Sequence, residues 1–316
     1  MTASLRRLRI GTRRSDLARW QANHVVAGIG GLAGAPSVEV LYIKTEGDRI
    51  TDVPLHMIPG KSFFTKEIEQ ALLDEQVDVA VHSLKDVATE LPRGLVIGAV
   101  MEREDPRDVL LSHGGAPLED LAPGARIGTS SLRRRALIKR WRPDLELVDL
   151  RGNVPTRIRK LSEGRFDAIV LAAAGVKRLG FESSITAYLP LERVLPAVAQ
   201  GAVALQVRED DEYVLSWVRQ LDDADTRQAT AAERALLGRL EGGCQVPVGA
   251  LATVTSGVLK LRAVVSSLDG TRSVEGTREG PSDQAEQIGG SLAEELLGRG
   301  AGVILDEIRA TTGDVG

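Results

Sequence analysis

Ala202-Val-Ala-Leu-Gln-Val207 is the stretch on which the fold turns. It reads as a short buried strand, apolar at every position but Gln206. No strand lies next to it in sequence, so its partners lie elsewhere. A return to the first domain gives it a sheet and makes two crossovers, near Val100 and Gln200. Two crossovers form a hinge with a cleft between lobes. Working outward, strand-like and helix-like segments alternate upstream. Residues 8–12 read as a strand, and Ser15 as the N-cap of a helix through Gly28 with Ala18, Ala22, Val25 and Ile29 on one face. Residues 38–45 alternate as a strand, 62–76 form an amphipathic helix, and 77–81 form a buried strand. This β-α-β order implies a mostly parallel sheet with helices on its faces. The pattern restarts near Arg107, with strands at 109–112, 126–128, 145–150 and 166–172. Its helices cover 131–141, stopped before Pro143, and the turns after Asn153, where Pro155 is tolerated. Downstream, a helix over 226–240 ends at Gly242-Gly243, 258–266 and 272–279 form an antiparallel pair, and 291–299 is a closing helix. The expected division is 1–100 with 200–221, then 101–199, both α/β, then a small α+β domain over 222–316.

The chain has 316 residues, 43% hydrophobic and 27% charged, as in an ordinary soluble protein. The N-terminus has no apolar run resembling a signal peptide, and 168–176 is too short to span a bilayer. A single cysteine forms no internal disulfide, so a reducing, cytoplasmic setting is expected. The net charge is −4, but 126–160 holds eleven Lys/Arg against three Asp/Glu. That local +8 leaves −12 for the rest, which suggests a focused anion site.

Gly28-Ile-Gly-Gly-Leu-Ala33 fits a loose dinucleotide pattern but follows a helix, so it reads as a helix end and loop. His24, His56, His82 and His113 show no metal spacing, and there is no Walker A sequence, so neither metal nor nucleotide is expected. His82-Ser-Leu-Lys-Asp86 follows a buried strand, where α/β sheets place ligands. Asp86 there can move protons or stabilise a cation, and Lys85 can hold an anion. Three strand-to-helix loops repeat one anion-binding design. They carry Arg13 with Ser15, then Thr129-Ser-Ser-Leu-Arg-Arg134, then Arg151-Gly-Asn-Val-Pro-Thr-Arg157. Glu241-Gly-Gly-Cys-Gln-Val-Pro247 puts Cys244 on a shaped glycine loop, where a thiol can act as a nucleophile. Competing readings are a two-lobed anionic-solute-binding module without catalysis and a cysteine hydrolase pairing Cys244 with His82. Nucleic-acid binding through 126–160 is a third, weakened by Trp141 being the only aromatic there.

Several motifs together resemble the porphobilinogen deaminase (hydroxymethylbilane synthase) family. They are Arg13 and Ser15, Val81-His-Ser-Leu-Lys-Asp86, Arg103-Glu-Asp-Pro-Arg-Asp108, Gly128-Thr-Ser-Ser-Leu-Arg-Arg134, Leu150-Arg-Gly-Asn-Val154 and Glu241-Gly-Gly-Cys-Gln-Val-Pro-Val-Gly249. The resemblance implies two domains like a type II periplasmic binding protein, with mixed, mostly parallel sheets and a hinge, plus the C-terminal α+β domain. It implies a monomer and a transferase of tetrapyrrole (haem) biosynthesis that meets neither nucleic acid nor membrane. A dipyrromethane cofactor would be joined by a thioether to Cys244. Four porphobilinogen units would be added head to tail with loss of ammonia, and water would release hydroxymethylbilane. Asp86 matches the catalytic carboxylate. Arg13, Ser15, Lys85, Thr129, Ser131, Arg133, Arg134, Arg151, Arg157 and Arg178 match groups that hold acetates and propionates. Lys61 and Phe64 match a lid. Asp16, Ser62 and Pro155 depart from the family pattern.

Overall fold

In a computed structural model, residues 6–49, 63–240 and 246–312 are described. Lobe one begins with β1 (Leu8–Thr12), α1 (Asp16–Gly30), β2 (Val38–Tyr42), α2 (Glu46–Arg49), α3 (Lys66–Leu73), β3 (Val79–Ser83) and β4 (Leu95–Val100). Lobe two follows with β5 (Asp108–Ser112), β6 (Arg126–Gly128), α4 (Leu132–Trp141), β7 (Glu146–Val148), α5 (Val154–Ser162), β8 (Ala168–Ala172), α6 (Ala173–Arg178) and β9 (Ala187–Tyr188). The chain then returns through β10 (Val203–Arg208) and α7 (Glu212–Val218), and α8 (Ala224–Arg239) leads away.

The orphan strand takes the place its pattern demanded. β10 lies antiparallel between β3 and β4, so the first sheet runs β2-β1-β3-β10-β4. The second sheet, β7-β6-β8-β5-β9, repeats that order with β5 as its antiparallel insert. Both are mixed sheets of the type II periplasmic-binding-protein kind. In each, the loops that follow the parallel strands carry the site motifs, as open α/β sheets dictate. α1 forms because Ala18, Gln21, Ala22, Val25 and Ile29 recur on one face and bury against β1 and β3, with Ser15 as N-cap.

The third unit has β11 (Val248–Thr255), β12 (Val258–Ser266), β13 (Ser273–Pro281), α9 (Ala285–Gly298) and α10 (Ala301–Thr312). Its sheet is three-stranded and antiparallel rather than a lone pair, because β11 joins β12. Val248-Gly-Ala-Leu-Ala252 buries every residue, so it lacks the alternation that marks a half-exposed strand. The chain closes on α10, not on α9. Gly300, at φ +97°, separates two helices where the sequence suggested one ending. Lobe one also differs in detail. α3 starts at Lys66, β3 extends through Ser83, and Leu84–Asp86 make a single 3-10 turn. α1 continues past Gly28 to Gly30, and Gly31 caps it.

One buried carboxylate ties the crossovers to the third unit. Glu233 of α8 is wholly buried and takes Arg103 at 2.6 and 3.1 Å, the Ala199 amide at 2.6 Å and the Ala252 amide at 2.8 Å. Arg103 also donates to the Gln200 carbonyl at 2.8 Å. Gly201 follows at φ +94°, where a Cβ would fall 2.2 Å from the Glu104 carbonyl oxygen, so only glycine fits.

Candidate active site

Loops of lobe one build a cavity around Asp86. Arg13, Ser15, Phe64, Thr65, His82 and Ser83 line it. Asp86 ends the turn after β3 and is half-buried, and its carboxylate accepts no hydrogen bond from any described residue. Ser15 turns its hydroxyl to the Ala18 amide at 3.4 Å. Arg13 stacks on the Phe64 ring, its guanidinium carbon 4.1 Å from the centroid. Phe64 in turn lies so close over Gly47 that a Cβ there would meet the ring at 2.2 Å.

Lobe two supplies a cationic cluster around a buried carboxylate. Asp108 is wholly buried at the start of β5. Arg133 donates to it at 2.7 Å, Arg134 at 2.7 and 3.1 Å, and the Gln200 amide at 2.9 Å. Burial opposes the charge on Asp108, but the two guanidiniums outweigh it and hold the carboxyl well below its ordinary range. Gln200 also receives Lys85 at 3.4 Å, so one crossover side chain joins Lys85 of lobe one to Asp108 of lobe two. Burial pushes Lys85 down to about 8, with Arg134 and Arg133 adding to the fall while Asp86 and Asp108 oppose it. Arg157 is pushed down to about 10 by burial and by the charges of Arg134 and Arg151, again against Asp86. Lys85, Asp86, Arg133, Arg134, Arg151 and Arg157 therefore share one electrostatic neighbourhood.

Other expected residues stand elsewhere. Thr129 is buried, and its hydroxyl accepts from the Ser131 amide at 3.3 Å. Ser131 caps α4 by accepting from the Arg134 amide. Arg178 sits at the α1 side of the crossover, over Trp20 at 5.2 Å and donating to the Gly201 carbonyl at 2.7 Å. Cys244 and Lys61 lie outside the described residues. The basic block is not one surface. Arg142 holds the carbonyls of Leu118, Glu119 and Leu121, Lys139 holds those of Pro143 and Leu145, and Arg140 pairs with Glu275 of the third unit. Sequence reasoning missed Asp108 and Gln200. Asp108 ends a quoted motif, but its partners are 25 to 92 positions away.

Fold and site define a two-lobed α/β protein with a cluster of cationic side chains beside Asp86. Comparisons sharpen this. The family profile for the porphobilinogen deaminase, dipyromethane cofactor binding domain matches residues 8–216, and that for the porphobilinogen deaminase C-terminal domain matches 228–298. The porphobilinogen deaminase of Syntrophomonas wolfei is 52% identical over 305 residues, covering 96% of this chain and 100% of its own. Those of Geobacter metallireducens (51%; 96% and 95% covered) and Brevibacillus brevis (52%; 95% and 97%) are similar. The chain belongs to the porphobilinogen deaminase family. Among solved structures, the BvgS VFT2 domain of Bordetella pertussis covers 68% of this chain, and 86% of its own, at 12% identity and a TM-score of 0.40. That likeness is too loose to carry the fold, which rests on the sheet order. A binding module without catalysis is not favoured by these matches.

The donor set fits a dipyrromethane, whose rings bear acetate and propionate groups. Its cations gather around Asp86 and Asp108, and among the described residues Nε of Arg133 is buried without a hydrogen-bond partner. Acetate and propionate groups carry the charge that such a cluster holds.

Proposed function

We propose that this chain condenses four porphobilinogen units head to tail, with loss of ammonia, and releases hydroxymethylbilane by hydrolysis, as a transferase. Family membership and the cluster of cations beside Asp86 support this reading, and Asp86 carries it. It is a carboxylate with no hydrogen-bond donor among the described residues, in a cavity lined by Arg13 and Ser15. Bound through a thioether at Cys244, dipyrromethane supplies the pyrrole end on which units are added. Arg133, Arg134, Arg151, Arg157 and Lys85 hold the carboxylates, and Arg13 and Ser15 hold those of the incoming porphobilinogen. Arg178 and Ser131 serve the same ligand groups from the rim of the cleft, and Thr129 shapes the turn that presents Ser131. Asp86 accepts the pyrrole N–H and stabilises the positive charge left on the ring as ammonia departs, which is where a fixed charge lowers a barrier most. Phe64, stacked on Arg13, covers the site from one side, and Lys61, which the resemblance also matches to a lid, lies outside the described residues. The working form is a cytoplasmic monomer without nucleic-acid or membrane partners, divided at 1–100 with 200–221, 101–199 and 222–316.

Intact mass and turnover test the reading together. Wild type is expected to carry an adduct of two linked pyrroles that Cys244→Ser lacks. Asp86→Asn is expected to fold and carry the adduct, yet lose turnover about 100-fold or more. An active wild type without adduct removes the tether, and near-normal turnover in Asp86→Asn removes that carboxylate from the chemistry.

A further inference from the structure

A chain of buried polar side chains runs behind the Asp86 cavity. Glu69 lies on the buried face of α3 between Ile68 and Leu72 and is 5% exposed. Its Oε2 accepts from the Thr65 hydroxyl at 3.3 Å and its Oε1 from the Gln206 amide nitrogen at 3.1 Å. The Gln206 carbonyl oxygen then meets Nε2 of His82 at 3.1 Å. The β3–β10 register makes this possible. Ala204 opposes His82 and Gln206 opposes Ala80, so Gln206 and His82 are diagonal neighbours on one face.

Polarity along the chain is fixed from its far end. A carboxylate only accepts, so Gln206 turns its amide nitrogen to Glu69 and its oxygen to His82. That oxygen also only accepts, so Nε2 of His82 carries the ring proton, and Nδ1 keeps a lone pair. His82 lines the cavity with Arg13, Phe64 and Asp86. With Nε2 engaged, Nδ1 is the ring atom with a lone pair to offer whatever enters.

We propose that Nδ1 of His82 is a fixed, neutral acceptor for an N–H of the porphobilinogen aminomethyl group, with Gln206 and Glu69 as positioning residues. This rests on the reading that the Asp86 cavity receives porphobilinogen. The aminomethyl group departs as ammonia only from its protonated form. The C–N bond breaks, its electron pair stays with nitrogen, and the positive charge remains on the pyrrole methylene. A strongly basic imidazole would take the ammonium proton and leave an amine that departs poorly. Burial, aided by the Arg13 charge and against the Gln206 bond, pushes His82 down to about 4. Such a ring accepts a hydrogen bond from the ammonium without removing its proton, and it orients the C–N bond for cleavage.

Two substitutions separate the ring's two nitrogens. In His82→Gln the new amide nitrogen keeps the bond to Gln206 but nothing replaces Nδ1. In His82→Asn the new amide oxygen lies near the Nδ1 position and the Gln206 bond is lost. In the cofactor-loaded chain, His82→Gln is expected to lower kcat about tenfold or more with little change in KM, and His82→Asn to retain more turnover. Nitrogen NMR of the wild type is expected to show His82 as the neutral Nε2–H tautomer from about pH 6 to about pH 9, and Gln206→Leu to lose that preference. Wild-type turnover in His82→Gln, or an Nδ1–H or doubly protonated His82 in the wild type, overturns the assignment. Asp86→Asn measured alongside separates the two claims. If it is impaired while His82→Gln is not, His82 alone fails, and if neither is impaired, the reading of the cavity fails with it.

Discussion

Asp108 is the residue on which the cationic cluster depends. It is one wholly buried carboxylate facing two buried guanidiniums. Asp108→Asn leaves both without a counter-charge, and breaking a buried pair from one side costs about 3–5 kcal/mol. Urea unfolding is expected to show that loss. The pH dependence has a definite sign. The folded carboxyl titrates below the unfolded one, so its stabilising contribution is complete above the unfolded value, near pH 4, and disappears as acid titrates the folded protein. Lys85 shows the same sign in a more alkaline window. Its folded value, about 8, lies below the ordinary value, so between about pH 8 and about pH 10.4 the unfolded chain binds more protons and stability rises with pH. If the cofactor's carboxylates lie beside Lys85, they restore its proton affinity. The midpoint of the pH profile for acylation of Lys85, followed by peptide mass, is expected to be higher in the cofactor-loaded wild type than in cofactor-free Cys244→Ser. Equal midpoints would separate Lys85 from the carboxylates. Asp86, Arg13 and the loop arginines were legible in sequence because each follows an apolar run and opens a turn. Asp108 and Gln200 were not, because their partners are distant in sequence and such contacts leave no local pattern.

At the scale of elements, the informative contact is the one that Glu233 makes. A single side chain of α8 holds Arg103 of one crossover, the Ala199 amide of the other, and the Ala252 amide of β11. Glu233→Gln is expected to cost about 3–5 kcal/mol, since Arg103 then lies buried without its partner. Amide hydrogen exchange at Ala199 and Ala252 is expected to rise together, because both lose a charged acceptor. A rise confined to Ala252 would show that the third unit alone is loosened. The placement of β10 was readable because a buried strand must pair with something. β4 and β9 escaped notice for different reasons. Leu95–Val100 is interrupted by Gly98, where Val207, Leu215 and Val218 leave little room for a Cβ, and Ala187–Tyr188 is too short to carry a period.

For the whole molecule, the cationic cluster predicts a difference between loaded and unloaded chains. Wild type with its cofactor is expected to unfold at a higher temperature than Cys244→Ser, and added salt is expected to narrow the gap as it screens the arginines. Scanning calorimetry at two ionic strengths reads this directly, and a gap indifferent to salt would assign the stabilisation to packing. The position of β10 has a further consequence, in time and not in space. β4 meets its sheet only through β10, and roughly a hundred residues separate them. A ribosome adding about 5–20 residues per second needs on the order of 5–20 s to cross that interval. Through it, the emerging first lobe carries a gap between β3 and β4 while the second lobe is being made. The second lobe is thus the first whose sheet can be completed, and the lobe that bears Asp86 becomes whole only after its neighbour exists.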